Sequence, residues 1–199
     1  MMEDPDGWER YYKRNDRRQG SPLLRRALAM IVPDQHGQSA VDLGCGAGLE
    51  SGLLLERGWS VHAVDKQRSA IDRVEAIAQR LPQGRLTTVT SHFENLGPLP
   101  SSSLVFAGMS LPFCHPDGFP RLWALITHAL APGGVFVGNL LGDRDGWSSI
   151  PSMTFHSLAQ VEASLLEFEV LSFAEIEEDG SSMRGPKHWH RFDIIARRR

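Results

Sequence analysis

The chain has 199 residues, 41% of them hydrophobic and 23% charged, with a formal net charge of −3 at pH 7. That length suits one domain able to bury a core without disulfides or metals, and the negative charge excludes a general electrostatic nucleic-acid binder. Cys45 and Cys114 are too few for a disulfide framework or a four-cysteine zinc site; they read as reduced thiols of a cytoplasmic protein. The acidic start Met1-Met2-Glu3-Asp4 has no signal-peptide pattern, and no apolar run approaches the ~20 residues that span a membrane.

In chain order, residues 1–20 are polar with Trp8, Tyr11 and Tyr12 interspersed, and read as an N-terminal arm or helix ahead of a domain over 21–199. Ser21-Pro22 is a cap and first-turn pair, and Leu23, Leu24, Ala27, Ile31 and Val32 follow at helical spacing. Ser39 to Leu43 reads as a buried strand. A glycine cluster over 44–48 leads into a helix through Leu53, Leu54 and Leu55 that stops near Gly58. Ser60 to Val64 is a second strand, and Ser69 to Leu81 a helix with Ala70, Ile71, Val74, Ile77, Ala78 and Leu81 on one face. Strands follow at Arg85 to Thr90 and Ser103 to Gly108, then a helix over Phe119 to Leu130 and a strand over Val135 to Leu140. This alternation implies βαβ units and a parallel sheet. Ser157 and Gln160 form a possible capping box for a helix through Val161, Leu165 and Leu166. The chain ends in two strand-like segments, Phe168 to Ile176 and Trp189 to Ala196. The turn-rich stretch Glu177 to Pro186 joins them, which suggests a closing antiparallel hairpin.

The strongest motif is Val41-Asp42-Leu43-Gly44-Cys45-Gly46-Ala47-Gly48. Glycine at every second position between a strand and a helix permits a sharp turn and removes the Cβ that would block a ligand. The new helix presents unused N–H groups, at the sheet end where α/β folds bind ligands. A dinucleotide fingerprint would need a third glycine where Leu49 stands. Asp42 would repel a pyrophosphate but suits an ammonium group, so S-adenosylmethionine, which has an ammonium and no phosphate, fits better. Asp65 ends the second strand about 20 residues past the loop, where a carboxylate accepts from ribose hydroxyls.

On these residues the chain resembles the class I S-adenosylmethionine-dependent methyltransferases. Asp42 to Gly48 is similar to their first motif, Asp65 to the acidic residue ending their second strand, and Ala131-Pro132-Gly133-Gly134 to the turn before their fifth strand. The resemblance implies an α/β, Rossmann-like three-layer sandwich whose mostly parallel seven-stranded sheet ends in an antiparallel hairpin. It also implies that Gly44, Cys45, Gly46 and Gly48 pack against the methionine part of the cofactor and that Asp42 orients its ammonium. Asp65 would hold the ribose and Lys66 would lie beside the adenine. His92 stands where the family usually has an adenine-binding Asp, and Phe93 either flanks the ring or belongs to the core. Met109 and Ser110 should face the methyl-donor centre. Trp8, Tyr11 and Tyr12, with the run Lys187 to Phe192, resemble small bacterial methyltransferases of the tellurite-resistance type.

Methyl transfer needs alignment more than a dedicated base, and no catalytic residue is assigned. His92, His115, His188 and His190 are available bases. His188 and His190 share a strand face, but two histidines without a third ligand do not make a metal site. Asp143 and Asp145, in Gly142 to Trp147, read as an ordinary solvated loop rather than a magnesium site. That loop, with Trp147, edges the substrate pocket. Trp8, Tyr11 and Tyr12 form either a lid or a helix packed on the core. Met109 to Phe113, Met-Ser-Leu-Pro-Phe, lacks the pattern of nucleic-acid amino-methylating enzymes, an acidic or amide residue followed by two prolines and an aromatic. The expected function is therefore methyl transfer to a small-molecule acceptor, releasing S-adenosylhomocysteine, with no nucleic acid or membrane partner. The alternatives are a non-catalytic S-adenosylmethionine-binding module or a protein or RNA methyltransferase.

Overall fold

The computed structural model describes residues 7–10, 12, 20–31, 38–81, 85–182 and 185–199. Seven strands form one sheet: β1 (Ser39–Leu43), β2 (Ser60–Asp65), β3 (Arg85–Thr90), β4 (Ser102–Ala107), β5 (Leu130–Leu141), β6 (Phe168–Ser182) and β7 (Gly185–Arg198). Their order is β3-β2-β1-β4-β5-β7-β6. The first five strands run parallel, and β7 lies antiparallel between β5 and β6. The helices are α1 (Pro22–Met30), α2 (Leu49–Glu56), α3 (Arg68–Ala78), α4 (Phe119–Ala129) and α5 (Leu158–Ser164). Residues 7–10 and 12 are also helical.

Two apolar layers flank the sheet. Alternate residues of the central strands, among them Ala40, Leu104, Phe106, Val135 and Val137, meet Leu24 of α1, Leu54 of α2 and Ile71 of α3. The intervening residues, Val41, Leu43, Val105 and Phe136, meet Leu122 and Ile126 of α4 and Val161 of α5. Strands covered on both faces are apolar without alternation, which is why β1 and β4 are so readily recognised from their residues. The local signals match in kind. The Ser21 side chain accepts from Leu24 N–H, and Ser157 and Gln160 close a reciprocal capping box.

Two readings need correction. Glu177 to Pro186 is not a turn-rich connection: β6 runs on to Ser182 and β7 starts at Gly185. The polar residues there pair across the ladder, Glu177 opposite His190 and Asp179 opposite His188, and cross-strand charge pairs support strand where composition suggests turn. The stretch after β5 is not simply solvated either. Asp143 is half-exposed, but the Asp145 side chain is 0% exposed and bonds the equally buried Lys187 Nζ at 2.6 Å. Lys187 lies 3.3 Å from the centre of the Trp189 ring and 4.3 Å from that of Trp147, an arrangement that favours a cation on aromatic faces. Asp145 also accepts from the N–H groups of Trp147 and His190. Gly142 lies so close to the His190 ring that a Cβ would collide with it. The loop is thereby fastened to β7.

Removing one member of a buried pair strands the other charge, at a cost of about 3–5 kcal/mol. Asp145→Ala is expected to lower stability by that amount in urea titrations, and the double variant Asp145→Ala/Lys187→Met to recover most of it.

Candidate active site

Glycine conformation sets the crevice at the carboxyl end of the sheet. Gly44, Gly46 and Gly48 all have positive φ, at 77°, 50° and 81°, a region other residues enter only with strain. They face different neighbours. A Cβ on Gly44 would strike the Cβ of Ser110, just past β4. One on Gly46 would lie 3.3 Å from Cε1 of the Tyr12 ring, and one on Gly48 3.0 Å from Val74 and Ile77 of α3. Gly44 thus lets the ends of β1 and β4 meet, and Gly48 lets α3 approach. Gly46 leaves its outer side to an aromatic ring. Cys45 points into the core, where burial pushes its thiol well up.

Three carboxylates are buried around this turn: Asp42, Glu50 and Asp65. Asp42 accepts from Ser51 Oγ at 2.6 Å. Burial raises its carboxyl from its ordinary value to about 7; the Ser51 hydrogen bond opposes the rise and the charges of Glu50 and Asp65 add to it. Glu50 accepts from the Ser21 N–H, joining α2 to the start of α1. Asp65 accepts from Gly46 N–H at 3.0 Å on one oxygen and Gln67 N–H at 2.8 Å on the other. Burial raises its pKa, and these hydrogen bonds pull it back. Each of those oxygens retains a second lone pair for a hydroxyl donor.

Lys66 follows Asp65 and places Nζ 5.5 Å from the centre of the Trp8 ring. Trp8 meets Phe113 edge-on at 5.1 Å, while Arg73 of α3 pairs with Glu9 at 2.8 Å. The N-terminal helical residues therefore lie over the glycine turn, with the Tyr12 ring buried against it. Tyr11 lies outside the described residues. His92 is exposed at the head of a 3-10 turn, Phe93–Asn95, and Phe93 is partly buried against the core. The first N–H groups of that turn have no partner within it.

Beyond β4, Met109 adopts a φ of 55°, the one positive value at a non-glycine among the described residues. Its N–H donates to Asn139 Oδ1 of β5 at 3.1 Å. The Ser110 hydroxyl donates to the Leu43 carbonyl, tying the end of β4 to the glycine turn. Trp147 is half-buried beside Trp189 on the loop after β5. The four candidate bases are separated. His92 and His115 are exposed, and His188 bonds Asp179 and Glu177, which raise its pKa in that order. His190 is buried, facing Glu175 and the Arg144 N–H. Among the described residues no group of three or more His, Cys, Asp or Glu forms a metal site.

Residues that sequence reasoning passed over complete the crevice: Ser51, Glu50, Phe113, Asn139, Arg191 and Asp193. A polar Asn139 inside the apolar run Val135 to Leu141 was the one legible signal among them.

The sheet order and flanking helices are those of solved S-adenosylmethionine-dependent methyltransferases. Residues 40–134 match a family model described as a methyltransferase domain. Among curated proteins, the chain is similar to the trans-aconitate 2-methyltransferase of Deinococcus radiodurans, 28% identical over 153 residues, covering 74% of this chain and 52% of that protein. Its counterpart in Rhizobium leguminosarum bv. trifolii is 34% identical over 112 residues, 55% of this chain and 41% of the relative. The chain spans about half the length of these relatives. Among solved structures, TehB from Haemophilus influenzae superposes with a TM-score of 0.79 at 15% identity, over 97% of this chain and 67% of that one. The N-methyltransferase NodS from Bradyrhizobium japonicum, in complex with S-adenosyl-L-homocysteine, superposes at 0.64 with 14% identity, over 95% and 99% of the two chains.

The residues present fit the cofactor of this class. A cationic ligand suits the buried carboxyls of Asp42 and Asp65, and Asp65 keeps lone pairs for a ribose. A raised Asp42 pKa also has a consequence for stability. Between about pH 4 and 7 the native state holds a proton that the unfolded state has released, so stability falls as pH rises through this window. Asp42→Asn is expected to flatten that slope in melting temperatures recorded from pH 4 to 7.5.

Proposed function

We propose that this chain transfers a methyl group from S-adenosylmethionine to a small-molecule acceptor. The observation that carries this reading is the pairing of buried Asp42 and Asp65 around a left-handed glycine turn, a negative field suited to a cation and hostile to a pyrophosphate. S-adenosylmethionine supplies a methyl group already activated on a sulfonium. Asp42 holds the field that favours the ligand's ammonium, and Asp65 receives the ribose hydroxyls. Lys66 and Phe93 would hold the base between them. Met109, held by Asn139, shapes the floor where donor and acceptor meet.

The N-terminal residues act as a roof. Trp8 bridges Lys66 on the cofactor side to Phe113 on the acceptor side, and Tyr12 closes over Gly46. Such a cover excludes water and fixes orientation, which supplies much of the rate enhancement in a displacement. A small acceptor suits this roofed crevice. The relatives named for trans-aconitate act on a small molecule too, which supports the class of acceptor without naming it here.

A ligand at ~100 times its dissociation constant adds about 2.7 kcal/mol, or roughly 5–10 °C for a domain of this size. Thermal-shift assays are expected to show that rise with S-adenosylmethionine and S-adenosylhomocysteine and none with NAD. A rise with NAD alone would overturn the reading. Tyr12→Ala is expected to weaken S-adenosylhomocysteine binding by on the order of tenfold in calorimetry, the loss of one buried aromatic contact.

A further inference from the structure

A row of polar side chains crosses the sheet beside Met109. Ala107 pairs with Gly138, so Gly108 lies next to Asn139, and Asn139 pairs with Asp193 across β5 and β7. Asn139 shares its sheet face with Val135 and Val137, which belong to the apolar layer that includes Tyr12. The row therefore opens on the side roofed by the N-terminal residues. Asn139 Oδ1 accepts from Met109 N–H, and its Nδ2 donates to Asp193 Oδ1 at 2.6 Å. Arg191 Nε donates to the same Asp193 oxygen at 3.0 Å, and its Nη1 reaches Glu178 at 3.4 Å.

Donors on both sides thus aim the Asp193 carboxylate. Its Oδ1 takes two hydrogen bonds, while Oδ2 takes none from the described residues and keeps contact with solvent. The side chain is 16% exposed. A carboxylate is aligned, largely dehydrated and left with one oxygen open, one amide's width from the strained residue at the methyl-donor end of β4. Arg191 is already compensated by Asp193 and Glu178 and offers no surplus positive charge to an anion.

We propose that Asp193 is the proton-accepting group of the acceptor pocket, and that the acceptor is a protic nitrogen or oxygen nucleophile, an amine or a hydroxyl, rather than a carboxylate. The acceptor's lone pair forms the new N–C or O–C bond as the methyl–sulfur bond breaks and leaves its electron pair on sulfur. The acceptor's proton passes to Asp193 Oδ2 and then to solvent. An anionic acceptor would meet like charge there. Asn139 is a positioning residue in this arrangement, fixing both Met109 and the carboxylate.

This inference rests on the methyl-transfer reading, and its test separates the two. The probes are S-adenosylhomocysteine and sinefungin, the analogue carrying a protonated amine where S-adenosylmethionine carries its sulfur-bound methyl. Calorimetry gives the ratio of their affinities in the wild type, Asp193→Asn and Arg191→Gln. Asp193→Asn is expected to cut the preference for sinefungin by on the order of tenfold, the scale of a partly buried charge pair a few ångströms apart. S-adenosylhomocysteine affinity should stay within about twofold, since Asp193 faces the acceptor side. Arg191→Gln removes the compensating cation and should raise the preference, whereas loss of packing would move both variants the same way. If Asp193→Asn does not fold, the rise in Arg191→Gln decides the matter alone. Ratios that do not move, or that move together, overturn the inference. A wild-type protein that binds neither probe overturns the methyl-transfer reading itself.

Discussion

The crevice depends on the absence of one carbon atom. Where β1 ends, the backbone at Gly44 comes so close to Ser110 that a Cβ would occupy the same space as the serine's own. The Ser110 hydroxyl then bonds the Leu43 carbonyl. This contact brings together the ends of β1 and β4, around which the candidate site lies. A side chain at Gly44 would force them apart, and it would also have to adopt a φ of 77°. The adjoining strands hold their register because both faces of the sheet are buried, so a one-residue slip would turn each apolar residue to the wrong layer.

With the strand ends joined, the turn becomes an electrostatic device. Asp42 of β1, Glu50 of α2 and Asp65 at the end of β2 are buried around it, and each has a donor: Ser51 Oγ, Ser21 N–H, and the Gly46 and Gln67 N–H groups. Buried acids survive when such donors replace water. A cation brought to the turn would favour the charged form of Asp42, which burial otherwise disfavours. Dinucleotide-binding turns work in the opposite sense, with N–H groups and a helix dipole turned toward phosphate.

The β4 side of the crevice is built from the later part of the chain. The loop after β5 is held to β7 by the Asp145–Lys187 pair between two indole rings, and it crosses back to donate from Thr154 to the Pro112 and Cys114 carbonyls. The segment after β4 in turn touches the roof through Phe113 and Trp8. Ladder, loop and N-terminal residues are thus linked from elements far apart in sequence. The strain at Met109 persists because Asn139 and its partners over-determine it, as is usual of strained residues at functional sites.

The amino-acid sequence by itself determined the parallel core, the closing hairpin, the two caps at Ser21 and Ser157, and the cofactor turn. Each of these is local: a strand buried on both faces is an apolar run, a cap is two or three residues, and the motif Asp42 to Gly48 is contiguous. Asp65 was also legible, because the length of one βα unit fixes its distance from the turn. Only the tertiary structure decided the rest. It turned Glu177 to Ser182 from apparent loop into strand, since the charges opposite those residues come from β7. It buried Asp145 by supplying Lys187 from 42 positions away. It also set Asn139 and Asp193 side by side, because strand register is settled by pairing across the sheet and not by any property of a single strand.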